Sequence, residues 1–302
     1  MSDDHSTKHI IQSLMVNLAI AVAKGVAAIF TGSGAMLAEA IHSSADCTNQ
    51  LLLLLGVRRS AKPPDREHPL GYGRSLYFWS FMVALLLFTG GGVFSIYEGI
   101  HKLQHPEPVE QVWLGLTILG FSLLLEGGAT LSNIKELRAR AKGRPFLRFV
   151  RDTKDSDLVV IFGENSAATL GLAAAMLALT LAWATGDARW DAVGSIAVGL
   201  ILVVVAVFLA VEVKSLLMGE RADTEVDEAV ARIAAADPDI IEVLRVLTLQ
   251  QGPGEVMVAL KLRMRAELTA NDLCGAINRF EAALQRERPE VKWSFVEPDV
   301  EA

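Results

Sequence analysis

Long apolar stretches dominate the chain up to Gly219. Six of them approach the length of about 20 residues that crosses a bilayer as a helix, and short polar connections separate them. They cover roughly residues 9–31, 34–57, 75–101, 112–134, 157–185 and 190–216. The pattern predicts an α-helical membrane protein with six transmembrane helices in a domain over residues 1–219.

The pattern changes after Gly219, where charged residues become frequent and no apolar stretch is long enough to cross a membrane. Helical spacing over 224–235 and 271–286 is interspersed with three alternating stretches, I-E-V-L-R-V-L-T-L, V-M-V-A-L-K-L-R-M and V-K-W-S-F-V. Glycine and proline in Q-G-P-G predict a hairpin between the first two. The tail is predicted to be a cytoplasmic α-β-β-α-β domain of ferredoxin or metallochaperone type over 220–302, and its small size favours pairing with a second copy.

The composition agrees with a membrane protein. Hydrophobic residues make up 52% of the 302 residues and charged residues 21%, and the mean hydropathy is +0.37. The net charge of −7 argues against a nucleic-acid partner, which would need a basic surface. The two cysteines, Cys47 and Cys274, are far apart, so neither a disulfide framework nor a cysteine zinc site is expected. The polar start of the chain predicts no signal peptide.

Basic residues are concentrated in two connections, which predicts the orientation in the membrane. The 2–3 and 4–5 connections carry Arg58, Arg59, Lys62, Arg66, Arg74, Lys135, Arg138, Arg140, Lys142, Arg144, Arg148, Arg151 and Lys154. The connections on the other side contain only Lys102 and Arg189. Both termini are therefore predicted to be cytoplasmic. The expected location of this multi-pass protein is a bacterial inner (plasma) membrane. Lipid or phosphate binding by the 4–5 connection is an alternative, but topology alone accounts for its charge.

Three polar residues inside the apolar stretches are candidates for an ion site. His42 and Asp46 share one helix face in A-I-H-S-S-A-D, and Glu164 lies in G-E-N-S-A-A-T on the fifth stretch. Such groups are costly in hydrocarbon unless they have a buried partner or a function. Imidazole and carboxylate together suit zinc or another first-row divalent ion. Hydrogen bonding within the bundle is the alternative, and three such groups on two helices favour an ion pathway. Lys24 and Glu126 are interpreted as helix contacts or counter-ions.

The connection D-R-E-H-P-L-G-Y-G-R, residues 65–74, permits two interpretations. Asp65, Glu67 and His68 are a candidate cytoplasmic metal site. Equally, the proline and glycines predict a turn that precedes the third helix. The residues alone leave both open.

Taken together, these motifs resemble the cation diffusion facilitator, or cation efflux, family of divalent-metal transporters. The resemblance covers nearly the whole chain: H-S-S-A-D, H-P-L-G-Y-G-R, Y-E-G at 97–99, W-D-A-V-G-S-I on the sixth stretch, and the α-β-β-α-β tail. It implies a homodimer that exports metal from the cytoplasm in exchange for protons. It also implies alternating access around a tetrahedral site built by helices 2 and 5.

The resemblance assigns roles to particular residues. His42 and Asp46 match the helix-2 pair, whereas the helix-5 pair, usually His-xxx-Asp, falls on Glu164 and Ala168. This E-N-S-A-A variant resembles the branch of the ninth human zinc transporter and its bacterial relatives. Asn165, a water or a neighbouring carboxylate is then expected in place of the missing ligand. One imidazole with two carboxylates is a harder donor set than usual, so manganese, iron and cobalt are alternatives to zinc.

The resemblance makes the family's additional metal sites weak or absent here. Asp65 and His68 match positions where some relatives bind a second metal, but Tyr72 stands where those relatives have another histidine. The tail contains no histidine between Gly219 and Ala302, so the binuclear zinc site of some family tails is not expected. Dimerisation is the predicted task of the tail.

The sequence therefore predicts a proton-coupled antiporter with Zn²⁺ as the transported ion, and not an enzyme. Metal would displace protons from His42 and the acids, because both compete for the same groups. Export of manganese, iron or cobalt is one alternative. A non-transporting partner or regulatory subunit is another, motivated by Ala168. An intramembrane metalloenzyme ranks last, because the chain has no H-E-x-x-H motif.

Overall fold

The computed structural model describes residues 2–141, 143, 145–153 and 156–300. Lys142, Arg144 and Lys154 of the basic 4–5 connection lie outside the described residues. The helices are α1 (Ser2–Thr31), α2 (Gly34–Ser60), α3 (Ser75–Leu86), α4 (Phe94–Gln104), α5 (Val112–Ala141), α6 (Phe146–Asp152), α7 (Ser156–Thr185), α8 (Arg189–Met218), α9 (Thr224–Ala236) and α10 (Ala270–Glu287). A π-helical stretch, Leu87–Val93, joins α3 to α4, and the strands are β1 (Ile240–Gly252), β2 (Glu255–Met264) and β3 (Val291–Asp299).

Four helical segments of the described chain are long and apolar enough to cross a membrane. They are Ser75–Gln104, Val112–Ala141, Val159–Thr185 and Arg189–Met218, which correspond to the last four predicted spans. The apolar part of α1 is shorter, Asn17–Thr31. Helix α2 is less apolar, because acidic, imidazole and amide side chains interrupt its apolar face. The protein is thus a helical membrane protein with a small C-terminal sheet domain, and the six-span arrangement stays a prediction.

The chain divides into two compact units. One contains the residues up to Gly56 together with Phe78–Val213, and is called the membrane unit here. The other, the tail unit, contains Val57–Tyr77 and the chain from Lys214 onward. The 2–3 connection therefore groups with the tail, which no sequence pattern had indicated.

Glycines set the packing between the third span and α8 in the membrane unit. A Cβ at Gly99 would lie 2.6 Å from Ile196 Cγ1, and one at Gly199 would lie 2.7 Å from Ile96 Cγ1. A Cβ at Gly92 would lie 2.6 Å from Val203 Cγ2. Only hydrogen fits at these three positions, so the two helices approach each other closely.

The tail unit contains a three-stranded sheet in the order β1-β2-β3. Strands β1 and β2 form an antiparallel hairpin, in which Gly254 has a φ of 67°, and β3 pairs with β2 in parallel. Alternate residues of β2 are buried with residues of α9 and α10, chiefly Val226, Val230, Val258, Leu260, Leu262, Phe280 and Leu284. Helix α10 begins with a capping box between Thr269 and Asp272. The intervening residues of β2 occupy the opposite face of the sheet.

Candidate metal centre

Helix α2 carries a row of buried groups that have the chemistry of metal ligands. His42 is completely buried, and its Nδ1 lies 3.6 Å from Asp46 Oδ1, one turn away. Both ring nitrogens of His42, Asp46 Oδ1 and Asn49 Oδ1 are buried without a hydrogen-bond partner among the described residues. Buried polar atoms are nearly always paired, so an unpaired group of this kind needs an explanation. Its donors suit a divalent metal ion.

Glu164 reaches this row from α7. It is buried, and its Oε1 accepts a hydrogen bond from Asn49 Nδ2 across 2.7 Å. The two predicted halves of the site, on α2 and α7, therefore lie in the same region.

Asn49 was not predicted from the sequence. It follows Asp46 by three residues and His42 by seven, which places it on the same face of α2. That spacing is the signal by which it could have been found. Amide side chains are common in helix interiors, however, so the spacing alone does not separate a site residue from a packing residue.

The ligand set remains a prediction. Among the described residues, no three His, Cys, Asp or Glu side chains converge as a metal-binding group. His42, Asp46 and Glu164 lie in the same region, and Glu164 Oε1 already accepts a hydrogen bond from Asn49. Binding of metal at that oxygen would have to replace or share this hydrogen bond.

The positions on α7 that follow Glu164 do not supply a further carboxylate. Ala168 is buried one turn after Glu164 and offers no polar side-chain atom. The backbone carbonyl of Asn165 accepts a hydrogen bond from Thr130 Oγ1 of α5 across 2.9 Å. This contact of Asn165 is with α5 and not with α2, so its role as a ligand stays a prediction.

A second polar cluster lies beside the first. Lys24 of α1 is completely buried, and its Nζ donates to Glu39 Oε2 at 3.3 Å, Ser43 Oγ at 2.8 Å and Glu126 Oε1 at 2.9 Å. Glu39 and Ser43 lie on α2 on either side of His42. The interpretation of Lys24 as a counter-ion is confirmed by these contacts.

The first turn of α2 is capped by an acid from another helix. Asp191, near the start of α8, accepts hydrogen bonds from the Ser33 hydroxyl, from Gly34 N at 2.6 Å and from Ala35 N at 3.3 Å. These N–H groups have no partner within the helix. Lys102 Nζ lies 3.8 Å from the same carboxylate. The start of the helix that carries His42 is therefore fixed to α8.

The 65–74 connection folds as a turn around Asp65. Asp65 Oδ1 accepts hydrogen bonds from the backbone N–H groups of Glu67 and His68, and Oδ2 accepts one from the Tyr72 hydroxyl at 2.7 Å. The Tyr72 hydrogen bond, followed by that of the His68 N–H, holds the pKa of Asp65 below its usual value. The His68 ring lies 4.2 Å from the Tyr72 ring, centroid to centroid. Both carboxylate oxygens thus accept hydrogen bonds within the turn, and the weak candidate site at Asp65 and His68 stays a prediction.

Comparison with known proteins points to one family. Residues 10–218 match the profile described as "Cation efflux transmembrane domain". The mouse and human proteins named "Proton-coupled zinc antiporter SLC30A9, mitochondrial" are 36% and 35% identical over 247 residues, which is 81% of this chain and 42% of theirs. "Metal tolerance protein C4" of Arabidopsis thaliana is 29% identical over 273 residues, 90% of this chain and 58% of that protein. The chain thus spans less than half the length of the two animal proteins.

Among solved structures, the nickel form of a single-residue variant of the MamM C-terminal domain aligns with 26% of this chain and with 100% of its own. The TM-score is 0.25 and the sequence identity 12%.

Proposed function

The chain belongs to the cation efflux family, and we propose that it is a proton-coupled antiporter that exports Zn²⁺ from the cytoplasm. Membership of this family supports a role as a metal-cation efflux transporter rather than an enzyme. The observation that carries the finer proposal is the buried, unpaired donor set of His42 and Asp46 beside Glu164. The names of the mouse and human relatives, which are about a third identical, support zinc and proton coupling.

The proposed transport site uses His42, Asp46 and Glu164, with the Asn49 amide oxygen as the fourth donor. Asn49 Oδ1 is buried and unpaired, and the same amide already contacts Glu164 through Nδ2. It therefore replaces the donor that Ala168 does not supply. One imidazole with three oxygens also suits manganese, iron or cobalt, which stay alternative cargoes.

Proton coupling follows from the chemistry of these donors. The imidazole and the carboxylates bind metal only when they are deprotonated, so loading from the cytoplasm releases protons. After the helices rock to the other side, protons displace the metal and the empty carrier returns. His42 is the donor that titrates nearest neutral pH in its unperturbed state.

The proposal also includes a homodimer in a bacterial inner membrane, with both termini in the cytoplasm. The tail supplies a surface for pairing, because the sheet face opposite α9 and α10 exposes apolar side chains. Leu247 and Phe295 are both opposite Ala259 in the strand register and are 51% and 55% exposed. A second copy of this face would bury them.

Transport in proteoliposomes tests the proposal. A proton gradient should drive Zn²⁺ flux through the native protein, and Asp46→Asn should abolish it while the fold is retained. Cys274→Ser, at an exposed position of α10, is the matched control and should transport normally. Absence of proton-driven flux in the native protein would refute the proposal. Tight Zn²⁺ binding without flux would instead identify the second candidate, a non-transporting partner subunit, which Ala168 favours.

A further inference from the structure

Lys24 occupies an oxygen-lined site of its own within the membrane unit. An ammonium group has three N–H donors, and here they meet three acceptors, Glu39, Ser43 and Glu126. The acceptors come from α2 and α5, whereas the ammonium comes from α1. The cluster is thus a complete coordination shell for one monovalent cation, assembled from three helices.

The shell contains more negative charge than Lys24 neutralises. Two carboxylates face one ammonium, and Glu39 Oε1 and Glu126 Oε2 are buried without a hydrogen-bond partner among the described residues. Glu39 is completely buried, and its Oε1 would lie 2.5 Å from a Cβ at Gly171 of α7. The absence of a side chain at Gly171 therefore makes room for this carboxylate. Four carboxylate oxygens and a hydroxyl form the kind of set that hard divalent cations bind.

We propose that the Lys24 ammonium is a resident cation that fills a second divalent-cation site, formed by Glu39, Ser43 and Glu126. Glu39 and Ser43 flank His42 on α2, so a metal ion held there would lie beside the transported one. The covalently attached charge prevents this and limits the membrane unit to one metal ion. The limit of one metal ion rests on the proposed function, whereas the second divalent-cation site that Lys24 fills does not.

A purely structural role for Lys24 predicts something different. A clamp between α1, α2 and α5 accounts for the three hydrogen bonds, and its removal would only weaken helix packing. A resident cation predicts in addition that removal of the ammonium creates a metal site, because the buried carboxylate of Glu39 and the partly buried carboxylate of Glu126 are then left uncompensated.

Counting bound Mn²⁺ distinguishes the two. Purified protein is equilibrated with Mn²⁺, and the ions retained per protomer are measured by mass spectrometry and by electron paramagnetic resonance. The measurement is made in an Asp46→Asn background, which removes the proposed transport site. Asp46→Asn alone should retain no tightly bound ion, and addition of Lys24→Met should bring the number to about one. Further addition of Glu39→Gln and Glu126→Gln should return it to zero.

No gain of Mn²⁺ on Lys24→Met would overturn the inference. If that variant does not fold in metal-free buffer, Mn²⁺ added during purification should restore a monodisperse protein and raise its melting temperature. Aggregation both with and without Mn²⁺ would also overturn it. Because every variant lacks the proposed transport site, a failure of Zn²⁺ flux in the native protein leaves this test unaffected.

Discussion

Asn49 of α2 donates a hydrogen bond to Glu164 of α7 across 2.7 Å, and so joins the two helices on which the candidate ligands lie. The bond uses the amide N–H and leaves Asn49 Oδ1 buried and unpaired. Asn49 thus both orients a candidate ligand and presents a donor atom of its own.

Replacement of Asn49 tests both roles. Asn49→Ala should raise the Kd for Zn²⁺ by about 10- to 100-fold, the usual effect of losing a group that orients a metal ligand. Competition with a chelating dye measures the change. Asn49→Asp retains an oxygen donor and should bind more tightly than Asn49→Ala. Equal Kd values for Asn49→Ala and the native protein would exclude Asn49 from the site.

Ala168 offers a gain-of-function test. Ala168→Asp places a carboxylate one turn after Glu164, where the family pattern has its fourth ligand, and should lower the Kd for Zn²⁺ by about tenfold. Isothermal titration measures the effect. The isosteric Ala168→Asn has no charge and should change the Kd little. An aspartate without effect would mean that position 168 does not face the bound ion.

The cap on α2 makes a prediction about stability. Asp191→Ala removes the acceptor of the Gly34 and Ala35 N–H groups and of the Ser33 O–H group, and should cost about 2 kcal/mol. The midpoint of thermal unfolding in detergent should fall accordingly. Glu107→Ala, at an exposed position in the connection between α4 and α5, is the control and should change it less. Similar midpoints for the two variants would contradict the role of the cap.

The exposed sheet face predicts the oligomeric state. Phe295→Asp places a charge on the apolar face and should convert the proposed dimer to a monomer at micromolar concentration. Light scattering after size exclusion measures the mass. Cys274→Asp adds the same charge on α10, which covers the opposite face, and should remain dimeric. If both variants remained dimeric, the interface would lie on another surface.

The turn around Asp65 has a predicted pH dependence. The Tyr72 hydrogen bond lowers the pKa of Asp65. The stabilisation of the turn by the ionised carboxylate is therefore fully present above the usual aspartate pKa, and it is lost as the pH falls through the lowered pKa. Tyr72→Phe should raise this pKa and move the loss to higher pH. Carboxyl carbon shifts of Asp65, followed by NMR, measure the titration. Tyr97→Phe, an exposed tyrosine of α4, should leave it unchanged.

The sequence predicts the parts that depend on local patterns. Length and apolarity identify the four segments from Ser75 to Met218, because each segment carries its own signal. Periodicity likewise places His42 and Asp46 on one face of α2. Contacts between helices are not encoded locally. Asn49, the acceptors of Lys24 and the cap from Asp191 each join residues that are distant in the chain, and the single sequence gives no measure of such proximity.

The π-helical stretch Leu87–Val93 has a consequence for how the third span is interpreted. A π-turn behaves as a one-residue insertion in an α-helix, and each residue of an α-helix turns the chain by about 100°. The helical wheel of Ser75–Leu86 therefore cannot be continued into Phe94–Gln104, and the two halves present independently phased faces. The residue that the π-turn inserts thus determines that Gly99 lies on the side of the helix that faces α8. Shortening the glycine run by one residue would rotate the C-terminal half away from its partner.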